Sequence, residues 1–256
     1  MKVQFLNPFS VDNIAVSVVE NDDSRNILLL DFGPSVASHL LRTDILTTSK
    51  KKQIVAFGSH IHSDHVGGAK QLENLCDILP DTKLSFLLPP ESSRPSMSRQ
   101  RSQMTSALNK RLSKITQISP DEVRDIFGLK NIDFEVARHN PVDNVHTTVL
   151  IMEMLGDKQR NKTFFAADND DKDFLKDVLE DPTLFEVNQD VTFKSHGLGL
   201  HFTLKKLEKL ASKLELTDED KKRIIGMHFF NKKVARKMES KGYGSARERL
   251  YTCAQL

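Results

Sequence analysis

The sequence predicts a mixed α+β fold, with two sheets packed together and helices on the outside. Three observations carry this. Short apolar runs rich in branched residues recur along the chain, each bounded by turn residues, which is the signature of strands. Strands come first as a group, strands and helices then mix, and helical patterns dominate the end, as in a layered α+β protein. The length of 256 residues is enough to bury one large core, so a single domain over residues 1–256 is expected.

The expected strands, in order, are Lys2–Leu6, Ile14–Val19, Ile27–Asp31, Gln53–Phe57, Leu84–Leu88, Phe134–His139, Thr147–Met154, Thr163–Ala167 and Ile224–Met227. A helix is expected over Ala69–Cys76, directly after Gly67 and Gly68. A second covers Met97–Thr116, where Met104, Leu108, Leu112 and Ile115 recur at helical spacing. Ser119-Pro120-Asp121-Glu122 starts a third, with a capping serine, proline at the first position and glutamate three residues on. A fourth covers Leu204–Leu214, with Leu204, Leu207, Ala211 and Leu214 on one face.

Composition narrows the function. Apolar residues make up 38% and charged residues 28%, a balance typical of a soluble globular protein. The net charge of +2 gives no argument for a nucleic-acid partner. No window approaches the ~18–20 apolar residues of a membrane span. The N-terminal residues lack the apolar stretch of a secretory signal and read as a first strand. The cysteines Cys76 and Cys253 form no disulfide framework or metal-spaced pair, which fits a reducing cytoplasm.

Residues 60 to 65 read His-Ile-His-Ser-Asp-His. Three imidazoles and a carboxylate within six residues suit zinc and similar first-row divalent metals. On an extended loop alternate side chains share a direction. His60 and His62 can then grip one ion while Asp64 and His65 turn to a second. A polar surface loop is the ordinary alternative, but an H-x-H-x-D-H run after an apolar strand is a specific signature. Such a two-metal centre needs about three more ligands, one of them a bridging carboxylate.

Here the chain resembles the metallo-β-lactamase superfamily, and within it the ribonuclease Z-like branch. Leu28 to Gly33 is similar to the family's strand ending in Asp and Gly, and residues 60–65 match its signature. Phe134 to His139 resembles the strand ending in the third histidine, Phe164 to Asp168 the strand ending in the bridging aspartate, and Ile224 to His228 the last strand with its terminal histidine. The resemblance implies a four-layer αββα sandwich. It also implies two divalent ions, Zn²⁺ foremost with Mn²⁺ or Fe²⁺ as alternatives. Their ligands would be His60, His62, Asp64, His65, His139, Asp168 and His228. His146 competes with His139 for the third-histidine role, and His139 is preferred because it ends an alternating strand. Asp190-Val191-Thr192-Phe193 is similar to the branch's Glu-Ala-Thr-Phe, and Leu200-His201-Phe202-Thr203 to its Gly-His-Ser-Thr. This implies a catalytic role for His201 as proton donor, oriented by Asp190, alongside Asp64. His196 could substitute for His201.

Two-metal centres hydrolyse phosphodiesters, β-lactams, thioesters and lactones, and fold alone does not choose among them. Transfer-RNA-processing members carry a long Gly/Pro-rich arm between the third histidine and the bridging aspartate. Only 28 residues (140–167) separate His139 from Asp168, so there is no room for it. The resemblance is closer to the armless anti-Pycsar phosphodiesterases of phages and bacteria, which cleave cyclic mononucleotides in immune evasion. The expected function is therefore a metal-dependent phosphodiesterase acting on a small nucleotide, as a cytoplasmic homodimer without a membrane or nucleic-acid partner. Alternatives are a tRNA 3′-end endoribonuclease, a lactonase or thioesterase, and a nucleotide-sequestering binding protein. The basic residues of 94–116 could touch phosphate or form a solvated face. Lys232, Lys233 and Arg236, close after His228, are the better phosphate candidates.

Overall fold

The computed structural model describes residues 3–6, 14–20, 22–47, 49–140, 145–156, 159–191, 202–227 and 232–249. Contacts divide the chain into two compact units, the first built mainly from residues up to Gly128 and the second from Leu129 to Glu248.

The first unit contains a six-stranded sheet in sequence order. Its strands are β1 (Gln4–Phe5), β2 (Ala15–Glu20), β3 (Ser24–Leu30), β4 (Lys51–Phe57), β5 (Thr82–Leu87) and β6 (Gln117–Ile118). Its helices are α1 (Val36–Leu41), α2 (Ser63–Val66), α3 (Ala69–Ile78), α4 (Pro95–Asn109) and α5 (Pro120–Phe127). The first three strands pair antiparallel, and β3 through β6 run parallel. Parallel strands are usually buried along their whole length, so they read as unbroken apolar runs. Ile27, Leu28, Leu29 and Leu30 are all fully buried, which is why this stretch shows no alternation in the sequence. One face of the sheet packs Ile27, Leu29, Ile54 and Ala56 into a cluster with Val36, Leu40, Leu72, Met104 and Leu108 from the helices. The register sets Leu30 opposite Phe57 and Phe57 opposite Leu87, so β3, β4 and β5 end level.

Helix α5 has the cap its sequence announces. Ser119 Oγ accepts from Glu122 N at 3.2 Å, and Glu122 Oε2 accepts from Ser119 N at 2.9 Å. Gly128, at φ +60, closes the helix in the left-handed region. Helix α4 stops at Asn109, short of the expected Thr116. Beyond it, Glu73 of α3 accepts from Ser113 N at 3.0 Å and Ser113 Oγ at 2.6 Å, which draws that backbone off the helical path.

The second unit also holds a six-stranded sheet, in the order β12-β11-β10-β9-β8-β7. The strands are β7 (Leu129–Asn140), β8 (Val145–Met154), β9 (Lys162–Ala167), β10 (Leu184–Asp190), β11 (Ile224–Met227) and β12 (Gly244–Ser245). The helices are α6 (Lys172–Glu180), α7 (Leu204–Lys213), α8 (Asp218–Lys222) and α9 (Lys232–Ser240). β7, β8 and β9 pair antiparallel, and β9 to β12 run parallel. The short span between His139 and Asp168 is taken up largely by β8 and β9. β10 was not among the expected strands. Its buried positions include Glu186, Asn188 and Gln189, so a strand inside the sheet carries a polar sequence. Asn188 Nδ2 donates to Glu186 Oε1 at 3.2 Å, which partly offsets that burial.

Candidate metal centre

The histidine loop begins where β4 ends. Gly58, Ser59, His60, Ile61 and His62 leave the sheet beside Asp31, the first residue past β3. Backbone hydrogen bonds join the two strand ends: Asp31 N donates to Phe57 O at 2.8 Å, Phe32 N to His65 O at 2.6 Å and Gly68 N to Phe32 O at 2.8 Å. A Cβ on Gly68 would run into the carbonyl oxygens of Phe32 and Gly33, so the Gly67-Gly68 pair lets the loop lie against the β3 turn. The loop is not extended throughout. Ser63–Val66 is a short helix, so Asp64 and His65 project from α2 rather than from the second half of an alternating segment.

This first unit brings His60, His62, Asp64 and His65 together. The ligand nitrogens of His60 and His65 lie within 4.8 Å of each other, and both residues are fully buried. His60 Nε2 stands 3.1 Å from His62 Nδ1. Two nitrogens bound to one tetrahedral zinc at ~2.0–2.1 Å lie about 3.3 Å apart, so this pair already has the separation of two ligands on one ion. His65 Nε2 is 3.5 Å from Asp64 Oδ2, a comparable separation for a nitrogen and an oxygen. The donor set of imidazole and carboxylate, largely buried and at these spacings, fits a divalent metal.

Behind the four lies a buried network that the sequence reading did not assign to the site. Asp31 Oδ1 accepts from Ser59 N at 2.6 Å. Asp31 Oδ2 receives Ser59 Oγ–H at 3.0 Å and His65 Nδ1–H at 2.7 Å. With its hydroxyl hydrogen committed to Asp31, Ser59 Oγ accepts from His60 Nδ1 at 3.0 Å. One carboxylate thus holds the protons of both buried imidazoles on Nδ1, so that each presents an unprotonated Nε2 toward its neighbour, His60 to His62 and His65 to Asp64. That is the outer-shell arrangement by which metal-binding histidines are oriented. Burial pushes the Asp31 carboxyl above its usual value, against the opposing pull of His65 and Ser59. Asp31 also has φ +61, a left-handed conformation that costs a non-glycine residue. The legible signal was an aspartate at a strand end followed by Phe32-Gly33.

In the second unit Asp168 follows β9 directly and is 1% exposed. The turn that carries it is fixed by Asn169 and Gln189. Asn169 Nδ2 donates to Ala166 O at 3.1 Å and to Gln189 Oε1 at 2.9 Å, and Gln189 Nε2 donates to Asn169 O at 3.2 Å. Thr147 Oγ1 donates to the Asp168 carbonyl. The neighbouring acids have different work: Asp170 pairs with Lys206, and Asp171 caps α6 by accepting from Phe174 N at 3.1 Å. Asp168 is therefore set apart from an ordinary acidic turn.

His139 lies near the end of β7, where the register shifts between Arg138 and Asn140. His146 sits across the hairpin, opposite Arg138, and is half-buried. Asp190 is the last residue of β10. His201, His228 and His196 lie outside the described residues.

The family profile described as "Anti-Pycsar protein Apyc1" matches residues 6–249. The chain belongs to the anti-Pycsar Apyc1 family. Solved structures share the fold of this Apyc1-family chain at low identity. The metallo-β-lactamase fold protein YhfI from Bacillus subtilis is 14% identical, with a TM-score of 0.57 over 95% of this chain and 93% of its own. The short form of human tRNase Z is 13% identical, with a TM-score of 0.50 over 100% of this chain and 97% of its own. No curated protein matches the sequence. The metallo-β-lactamase fold expected from the sequence is thus shown. Family and fold point to a metal-dependent hydrolase. No helix among the described residues is long and apolar enough to cross a membrane.

Proposed function

We propose that the chain is a two-metal phosphodiesterase that hydrolyses a small cyclic nucleotide. The observation that carries this is the buried Asp31–Ser59–His60–His65 network, which directs the Nε2 atoms of His60 and His65 toward His62 Nδ1 and Asp64 at the spacings of shared metal ligands. Few structural roles call for two fully buried imidazoles held in the same tautomer by one carboxylate. His60 and His62 would hold one ion and Asp64 and His65 the other. His139, Asp168 and His228 would complete the set, with Asp168 bridging. Both units would then be parts of one metallo-β-lactamase-fold domain, a reading the family match across 6–249 supports. Two such ions, Zn²⁺ first among the candidates, would supply Lewis acidity toward a phosphate and a nucleophile near neutral pH.

The chain's own residues then have distinct roles. Asp31 and Ser59 keep protons off the ligating nitrogens. His201 would deliver a proton to the departing alkoxide, with Asp190 holding its orientation. The 28 residues between His139 and Asp168, too few for an arm, support a small substrate over tRNA. Metal analysis of the purified protein tests the reading, together with turnover of bis-p-nitrophenyl phosphate, cyclic mononucleotides, a lactone and a pre-tRNA. Two metal equivalents and cleavage of the cyclic nucleotides are expected, and full activity in metal-free protein would overturn it.

A further inference from the structure

Ile61, the residue between the first two histidines, lines a cavity of about 500 Å³ with the solvent side of α4. Its polar walls are Ser102, Gln103, Ser106, Lys110 and Arg111. The volume falls in the ~300–1,000 Å³ range of small-molecule sites. The opposite side of α4 is committed to the core through Met97, Met104 and Leu108. Residues 102, 106 and 110 follow the i, i+4, i+8 stripe of a helix, and Gln103 lies three positions before Ser106, so they form one continuous face.

That face is poorly explained by helix stability. Serine at an interior helix position costs a few tenths of a kcal/mol relative to alanine. The hydroxyls of Ser102 and Ser106 meet no partner among the described residues. The Gln103 Oε1 atom is buried without a hydrogen-bond donor, an arrangement folded proteins rarely leave in place. Lys110 and Arg111 add two cations, neither paired with an acid among the described residues. Arg111 is held by Nη1 donating to Ala107 O at 2.8 Å, and its remaining N–H groups are available. Hydroxyls, one amide and two cations around an apolar isoleucine suit a ligand with sugar hydroxyls, a flat heterocycle and negative charge.

We infer that the α4 face is the subsite for the nucleoside portion of the substrate, placed beside the histidine loop by Ile61. The inference rests on the phosphodiesterase reading and assigns the basic 94–116 segment a role in substrate selection. Gln103 lines the place of the base, Ser102 and Ser106 serve the sugar, and Lys110 and Arg111 draw in the anion. Recognition of this kind is expressed in the preference for a nucleotide over a phosphodiester that lacks sugar and base.

The test compares kcat/KM for cyclic mononucleotides and for bis-p-nitrophenyl phosphate in metal-loaded wild type, Gln103→Leu, Lys110→Glu and Lys110→Arg. Metal content and melting temperature confirm that each variant is folded. Gln103→Leu and Lys110→Glu are expected to lower nucleotide kcat/KM at least tenfold more than that of the nitrophenyl ester, mainly through KM. Lys110→Arg should restore most of the loss. Parallel losses on both substrates, or a change of oligomeric state accompanying them, would make the face a structural or protein-contact surface and overturn the inference. Wild type that cleaves nucleotides while the variants match it overturns the inference alone. Wild type that cleaves only the nitrophenyl ester overturns the nucleotide reading and the inference with it.

Discussion

Asp31→Asn is the sharpest perturbation of the metal centre, because it changes one buried charge and almost no volume. The carboxylate accepts three hydrogen bonds, from Ser59 N, Ser59 Oγ and His65 Nδ1. An amide has a single acceptor oxygen. If that oxygen keeps the Ser59 backbone N–H, the NH₂ group occupies the place of Oδ2 and faces two donors. The serine hydroxyl can rotate, but the imidazole N–H cannot. His65 must then carry its proton on Nε2, the atom needed for the metal. Losing a hydrogen bond to a charged group typically costs ~1.5–3 kcal/mol, equivalent to roughly 10- to 150-fold in affinity. Outer-shell changes at metal-binding histidines span a similar ~10- to 100-fold.

The assay is titration of apo-protein with Zn²⁺ against a chromophoric chelator, with the His65 tautomer read by long-range ¹⁵N–¹H NMR. Weaker binding and a proton on Nε2 are expected. The metal-free fold should respond in the opposite direction. Burial raises the Asp31 pKa, so its contribution to stability is full below the unfolded-state value and is lost as pH rises through the folded one. Asparagine does not ionise and escapes that loss. The melting temperature of apo Asp31→Asn should therefore gain on wild type as pH rises. Zinc affinity within twofold of wild type, with the proton still on Nδ1, would refute the tautomer argument.

Three other predictions address separate parts of the molecule. His139→Ala should remove a metal equivalent or weaken metal binding sharply, while His146→Ala leaves metal content intact; the reverse result would transfer the third-histidine role. His201→Ala should lose ~10²–10⁴-fold in turnover of alkoxide-leaving substrates and much less with p-nitrophenyl esters, and equal losses on both would remove it as the acid. Glu73, paired with Lys70 and Ser113, has its carboxyl lowered to about 2. Its stabilisation is present above the ordinary glutamate pKa and lost as pH falls toward 2, so Glu73→Gln should cost about 1 kcal/mol in urea unfolding at pH 7, and a gap that persists at pH 2 would refute the assignment.

The elements that could be read from sequence were those with one dominant cause. The α5 start is local chemistry, because the Ser119–Glu122 box forms whatever surrounds it. β3 and β4 were legible because buried parallel strands are apolar at nearly every position. β10 was not, since its buried positions Glu186, Asn188 and Gln189 are polar, and Gln189 is satisfied by Asn169, 20 positions away. The end of α4 was missed for a related reason: the serine that diverts the chain is held by Glu73, 40 positions away. The histidine cluster was legible from density alone. Asp31 was legible as a residue of the strand end but not in its role, which comes from lying beside Ser59 and His65, 28 and 34 positions distant.

The proposed site residues collect where parallel strands stop. Asp31 follows β3, the histidine loop follows β4 and Asp168 follows β9. Backbone groups at such ends have lost their sheet partners and must find others, so the turn is shaped by specific side chains rather than by the ladder. Two of these turns include a non-glycine residue in the left-handed region, Asp31 at φ +61 and Ala167 at φ +46. Such conformations cost of order 1–3 kcal/mol and persist only where their surroundings hold them. At Asp31 the hold is the triple hydrogen bond to Ser59 and His65; at Ala167 it is Asn169, whose amide donates to Ala166 O and to Gln189 of β10. Glycine at position 31 would relax the backbone but delete the carboxylate that orders the histidines. The strain at that strand end is therefore better understood as the cost of a fixed proton arrangement than as a defect of the fold.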